Sequence, residues 1–319
     1  MNSISILGGG PAGSSAGIAA LRNGLAVRLI ERSKFPRHKV CGEFLSPEIA
    51  ADLDRLGLWQ AFLNCGPARI RRMKLHFGRR EKQSVLSEPA WGLSRYQFDS
   101  LLFENALARG AELCREASGP PRIIACGRAV TATSRGRRLF GFKAHFAGPV
   151  ADAVELFFFG RGYVGINEVE NGYTNVCGLA PEDFLRTFNF DFDRVLRQSP
   201  ALADRLKPLH RAMDWVSTGP LSFEQHFTAT ENYRTGDALS FVDPFTGTGL
   251  AAAVKTGSRA GEAAALGTPV EDYLKDCRAI LRKPFEIAGI FRKALHLGLA
   301  ETLAPLVPSR ILFALTRAK

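Results

Sequence analysis

The residues whose types and spacing carry the clearest chemistry lie near the N-terminus: Gly8, Gly10 and Gly13, with Gly9, Pro11 and Ala12 between them. Residues 3–7, Ser-Ile-Ser-Ile-Leu, read as a short buried strand before them, and residues 12–23 as an Ala-rich helix after them. In that setting each glycine has a physical task. Gly8 makes the tight turn, Gly10 lets a phosphate approach the backbone, and Gly13 lets the helix pack against the strand. A diphosphate would then rest on Gly10, Pro11, Ala12, Gly13 and Ser14, where unpaired N–H groups and the helix dipole favour negative charge. A second strand, residues 26–30, ends at Glu31, 18 residues past Gly13, where an acid accepts hydrogen bonds from ribose hydroxyls. Strand, triplet, helix, strand and acid together predict a dinucleotide site.

A second constellation joins Gly236-Asp237 to Pro244-Phe245-Thr246-Gly247-Thr248-Gly249-Leu250. Residues 238–242 read as a buried strand, and residues 250–265 as another Ala-rich helix. This helix start suits an electron-rich group but lacks the phosphate triplet. Here the chain resembles the flavoproteins of the aromatic-hydroxylase and geranylgeranyl-reductase superfamily, whose second FAD motif is Gly-Asp followed by Pro-x-x-Gly-x-Gly. The resemblance implies FAD, with Asp237 on the ribityl chain and Pro244, Gly247, Thr248, Gly249 and Leu250 around the isoalloxazine ring. Helix polarity agrees, because a reduced flavin is anionic along its N1/C2 edge. Glu31-Arg32 and the run Phe35-Pro36-Arg37-His38-Lys39-Val40-Cys41-Gly42-Glu43 match the loop that leads to the flavin in the reductase and halogenase branches. That match places Arg32, Cys41 and Gly42 at the cofactor. Ser94-Arg95-Tyr96-Gln97-Phe98-Asp99 matches the family's Arg-x-x-Phe-Asp element, which implies Arg95 beside FAD.

Cys41 is the catalytic candidate: Arg37, His38 and Lys39 would lower its thiol pKa and favour a thiolate. The alternative is a packed, inert cysteine. His145 alternates with Phe142, Ala144 and Phe146 and reads as a hydrogen-bonded structural histidine. Two stretches depart from the family. Tyr163-Val164-Gly165-Ile166-Asn167 stands where geranylgeranyl reductases carry Tyr-x-Trp-x-Phe-Pro and halogenases Trp-x-Trp-x-Ile-Pro, which points away from halogenation. Residues 113–127 are compressed and Gly127-Arg128 replaces an Asp-Gly pair, so weaker FAD retention is expected.

Composition bounds the rest. The 319 residues are 46% hydrophobic and carry net charge +11, distributed as +12 over residues 1–150 and −1 over residues 151–319. Arg69, Arg71, Arg72, Lys74, Arg79, Arg80 and Lys82 hold much of the excess, on a strand pattern that puts them on a solvated sheet face or a docking patch for an acidic carrier protein. No motif accompanies the charge that would suggest nucleic acid. No run approaches an integral membrane segment, and six scattered cysteines without a Cys-x-x-Cys pair suggest reduced thiols in a cytoplasm. Ile287, Ile290, Phe291, Ala294, Leu295 and Leu297 form an apolar stripe in a basic segment. Packing against the chain's own substrate domain is expected, with peripheral membrane contact as the alternative.

The expected fold is α/β: a doubly wound FAD-binding domain interleaved with a mainly antiparallel β substrate domain, followed by C-terminal helices. Residues 1–66, 94–128 and 226–268 are assigned to FAD binding, 67–93 and 129–225 to substrate, and 269–319 to the helical end. The expected activity is an FAD-dependent monooxygenase acting on an aromatic or polyketide-like small molecule, with NAD(P)H as electron donor. The alternatives are reduction of C=C bonds in a lipid-like substrate and a redox carrier without catalysis.

Overall fold

The computed structural model describes residues 3–128, 138–221, 223–241 and 244–296. Its strands are β1 (Ser3–Leu7), β2 (Ala26–Ile30), β3 (Phe44–Leu45), β4 (Ala68–Phe77), β5 (Arg80–Gly92), β6 (Glu112–Cys114), β7 (Ile123–Ile124), β8 (Leu139–Ala147), β9 (Ala153–Phe159), β10 (Gly162–Glu168), β11 (Tyr173–Pro181), β12 (His210–Arg211), β13 (Val216–Leu221) and β14 (Tyr233–Arg234). Its helices are α1 (Pro11–Arg22), α2 (Ile49–Arg55), α3 (Trp59–Asn64), α4 (Arg95–Ala108), α5 (Glu182–Arg186), α6 (Phe192–Leu196), α7 (Pro200–Leu206), α8 (Gly249–Leu266) and α9 (Val270–His296).

Among the described residues a parallel sheet runs β14-β7-β1-β2-β6. The short β1 and β2 are apolar enough to be buried on both faces, as a parallel sheet requires. Helix α1 packs against α4 and α8, and the contact is close because the facing residues are small: Ala12 and Ala16 on α1, Gly257 and Gly261 on α8. The core beneath them includes Ile6, Leu29, Phe62, Phe98 and Tyr233, all fully buried. Each such large apolar side chain contributes about 1.5–3 kcal/mol relative to exposure.

The second sheet runs β12-β8-β11-β10-β9-β4-β5-β3, with β13 beside β8, and only β4 and β9 pair in parallel. Period-two alternation divides its side chains between two apolar layers. Met73, Leu75, Val154, Leu156, Phe158, Tyr163 and Leu179 face one layer, while Phe142, Ala144, Phe157, Val164 and Val176 face the other. A bulge between Ile70 and Arg72 puts Ile70 on the same face as Met73, three residues on. The exposed Arg69, Arg71 and Arg72 alternate with that buried set, as a solvated sheet face does.

The expected strand over 238–242 is not present in its described part. Gly236–Ala238 is a 3-10 turn, and Ser240 makes an isolated bridge to Gln225. The parallel sheet has already ended at Arg234, and Thr256 Oγ1 of α8 accepts hydrogen bonds from Thr235 Oγ1 (2.9 Å) and the Gly236 N–H (3.1 Å), drawing the chain towards the helix. At the far end α9 runs through Pro284, and no described helix is long and apolar enough to cross a membrane. Residues 297–319 and the side chains of Ile287, Ile290, Phe291, Ala294 and Leu295 lie outside the described residues, and with them the expected apolar stripe.

Candidate dinucleotide site

The geometry around α1 separates the three glycines by task. Gly8 has φ +107°, a left-handed backbone, and a Cβ there would strike the Ala125 carbonyl. A Cβ on Gly13 would overlap the Gly8 carbonyl oxygen, so helix and strand meet only through glycine. At Gly10, by contrast, an added Cβ meets nothing within 4 Å. The residue expected to let a phosphate approach therefore borders open space at the helix N-terminus, which no side chain caps. Pro11, Ala12 and Ser14 form the buried first turn, and Ser14 Oγ donates to the Gly9 carbonyl at 2.9 Å. These residues fit a diphosphate.

Glu31 closes the other side of the loop. Its carboxylate accepts the Gly9 N–H (3.0 Å) and the Ser33 N–H (2.7 Å) and lies 3.5 Å from Arg37. Burial pushes this carboxyl up, but the Ser33 and Gly9 N–H groups and the Arg37 charge outweigh it and hold Glu31 below the usual range. Glu31 thus braces the glycine loop, whereas Arg32 beside it is exposed.

The second motif reaches the first through tertiary contact. A Cβ on Gly236 would come within 2.8 Å of the Ala12 Cβ, which places Asp237 next to the start of α1. Asp237, Gly249, Ser240, Thr256 and Leu281 line one small cavity. Asp237 is open to water yet hemmed in by protein, and this desolvation raises its carboxyl despite the opposing pull of Arg95, Lys39 and Arg128. Gly247 lies on the Phe44 ring, Thr246 Oγ1 and Thr248 Oγ1 are 2.9 Å apart, and Leu250 is buried in α8. Pro244 and Gly249 are exposed at the two ends of this turn.

Arg95 donates two bonds to Asp99, at 2.6 and 2.8 Å, and its charge acts on both Cys41 and Asp237. Cys41 departs from the thiolate expected of its basic neighbours. Burial raises its thiol, outweighing the Arg95 and Lys143 charges that pull it down, so the group is a thiol at neutral pH. Lys39 is lowered, by burial and by the nearby Arg95 and Arg37. Gly42 lies between Cys41 and the left-handed Glu43 (φ +52°).

Behind this loop stands a polar cluster that sequence reading found only in part. Glu43 is fully buried and its carboxylate accepts from Lys143 Nζ, from the Arg95 N–H (2.6 Å) and lies 2.6 Å from His145 Nε2. Lys143 and His145 are two apart on β8 and so share a face. The expectation of a hydrogen-bonded structural His145 agrees with this contact. Glu43 is held low: burial raises it, but hydrogen bonds and charge from His145 and Lys143 prevail. Asn175 Nδ2 donates to the carbonyls of Cys41 (3.2 Å) and Gly42 (2.8 Å), and Glu170 accepts the Ser94 N–H at 2.7 Å. The one available signal was Lys143 itself, a charge inside the apolar run 140–146. His38, Glu43 and His145 offer ligand atoms within 4.8 Å of one another, but the Lys143 ammonium on the same carboxylate opposes a divalent cation there.

A parallel sheet whose first helix begins at a glycine loop, a floor sheet built by separate chain segments, and a Gly-Asp turn packed on the first helix define the fold of the FAD-dependent oxidoreductases. Comparison with known proteins agrees. The structure of the flavin-dependent brominase Bmp2 superposes with a TM-score of 0.78, covering 99% of this chain and 94% of that one at 20% identity. A menaquinone reductase of Mycolicibacterium smegmatis is 44% identical over 55 residues, 17% of this chain and 13% of the relative. The 1H-pyrrole-2-carbonyl-[peptidyl-carrier protein] brominase of Pseudoalteromonas luteoviolacea is 32% identical over 111 residues, 34% of this chain and 27% of the relative. The chain therefore matches well under a third of the length of these curated relatives. No protein-family model matches it.

Proposed function

We propose that the protein is an FAD-dependent oxidoreductase, and that its reaction is monooxygenation of an aromatic or polyketide-like small molecule with NAD(P)H as donor. One observation carries the cofactor reading: Gly10 borders open space at the α1 N-terminus, while Gly236 seats Asp237 against the same first turn. The N–H groups of the α1 first turn would bind the diphosphate, and Glu31 would receive the ribose hydroxyls. Asp237 would orient the ribityl chain, with the start of α8 and Arg95 along the ring. FAD bound there supplies two-electron transfer and, once reduced, activation of oxygen.

The residues beside the 244–250 turn favour an apolar, aromatic substrate. Phe245 packs at 5.9 Å from Phe158 and 6.1 Å from Tyr163, within a layer that also holds Leu221 and Leu75. Such a wall excludes water from the reacting atoms. The menaquinone-reductase stretch supports a second reading, reduction of a C=C bond in a lipid-like substrate. The brominase likeness supports a third, halide-dependent one, and with it a substrate carried on an acidic protein that would meet the basic β4 face.

A single assay separates them. The FAD-loaded protein is reduced by light under anaerobic conditions and its reoxidation followed with oxygen, with a prenylated quinone, and with oxygen plus bromide, each with an aromatic acceptor. Monooxygenation requires oxygen-dependent reoxidation with incorporation of one oxygen atom and no need of bromide. Anaerobic reoxidation by the quinone would replace that reading with the reductase, and a brominated product would replace it with the halogenase.

A further inference from the structure

Resting on the FAD reading above, we infer that Glu43 is a positioning residue: from behind the cleft it sets the Cys41 thiol and the Arg95 guanidinium beside Asp237. A buried carboxylate needs partners, and Glu43 has a full set. Lys143 and His145 hold it from β8, and the Arg95 N–H holds it at the start of α4, where the helix dipole favours a negative charge. Its backbone is fixed as well. The Glu43 carbonyl accepts the Leu93 N–H at 3.2 Å and Asn167 Nδ2 at 3.5 Å, and its N–H donates to Cys41 Sγ at 3.4 Å.

Stability alone does not account for this trio. Apolar residues of similar volume commonly replace a buried ion pair at no loss. What the trio does that apolar residues would not is fix directions. The Glu43 side chain reaches one helix N-terminus and two strand residues, while its left-handed backbone turns the Cys41 thiol towards Arg95. Asn175 clamps the two preceding carbonyls. Arg95 is tied to Asp99 on its own helix, so a displacement of Glu43 moves Cys41 and Arg95 together.

The test uses the full chain, first without added cofactor. Iodoacetamide alkylation is followed at each cysteine by peptide mass spectrometry in the wild type and in the charge-balanced variant Glu43→Gln with Lys143→Met, which leaves no unpaired buried charge. Freed of its anchor, Cys41 is expected to react about tenfold faster while buried Cys277 keeps its rate, the mark of a local rather than global opening. A Cys41 rate within about twofold of wild type in the folded variant overturns the inference. Should that variant not fold, His145→Gln removes one anchor without a charge change to the carboxylate, and the same two outcomes apply. FAD titration then reads Arg95: the variant should bind more weakly than wild type. If wild type itself binds no FAD, the cofactor reading falls, while the Cys41 rates still decide the role of Glu43.

Discussion

Gly257 of α8 lies so close to Ala12 of α1 that a Cβ at position 257 would overlap the Ala12 carbonyl oxygen. This contact locks together the two helices whose N-termini form the candidate cofactor cleft. Gly257→Val should therefore cost about 1–3 kcal/mol through overpacking, read as a shift in the urea midpoint. FAD affinity should fall with it, because α8 can make room only by drawing Asp237 and Gly249 away from α1.

Gly10 predicts the reverse pattern. Its missing Cβ points into open space, so Gly10→Glu should leave the unfolding midpoint close to wild type. It should weaken FAD at least about tenfold, since a carboxylate would then stand where the diphosphate binds. Flavin fluorescence titration measures this directly. Unchanged affinity would remove the diphosphate from this loop.

The buried charges on β8 give a third prediction. Lys143→Met leaves Glu43 without its ammonium and should cost about 3–5 kcal/mol, whereas adding Glu43→Gln should recover much of that loss. A double-mutant cycle in urea reads the coupling. Additive losses would show that the two side chains do not act as a pair.

The acids respond to pH in opposite senses. Glu43 is held below its ordinary 4.5, so its contribution to stability is complete above that value and is lost as pH falls towards its folded pKa. Glu31 behaves alike. Acid destabilisation below about pH 4.5 should be shallower in Glu43→Gln than in wild type.

Asp237 is raised above its ordinary 3.8, so the folded state is favoured while it is protonated and disfavoured as pH rises through that window. Asp237→Asn should thus stabilise the cofactor-free protein at neutral pH, read as a higher melting temperature, while weakening FAD. That combination would mark a residue kept for binding at a cost in stability.

Most of the fold's parts were legible because local patterns announce them. The Gly8–Gly13 loop, the amphipathic starts of α1 and α8, and the alternating runs in β4, β8, β9, β10 and β11 each carry a period or a breaker that fixes the element. The strand expected over 238–242 failed for a non-local reason. Its apolar residues are drawn to Thr256 of α8 and to Gln225, neither visible in a local window. Glu43 was similarly hidden, since nothing near it in sequence foretells two partners about a hundred residues on.

Sequence by itself determined where a diphosphate and a flavin-like ring have suitable helix starts, because turn glycines and helix N-termini are local properties of the chain. The tertiary structure decided which groups share an environment. It raised the Cys41 thiol that neighbouring cations alone would have lowered, since burial outweighs charge at that place. It brought Arg95, Lys39 and Arg128 around Asp237 and joined Lys143 and His145 to Glu43. Desolvation and charge pairing depend on what the fold packs together, and chain order does not carry that information.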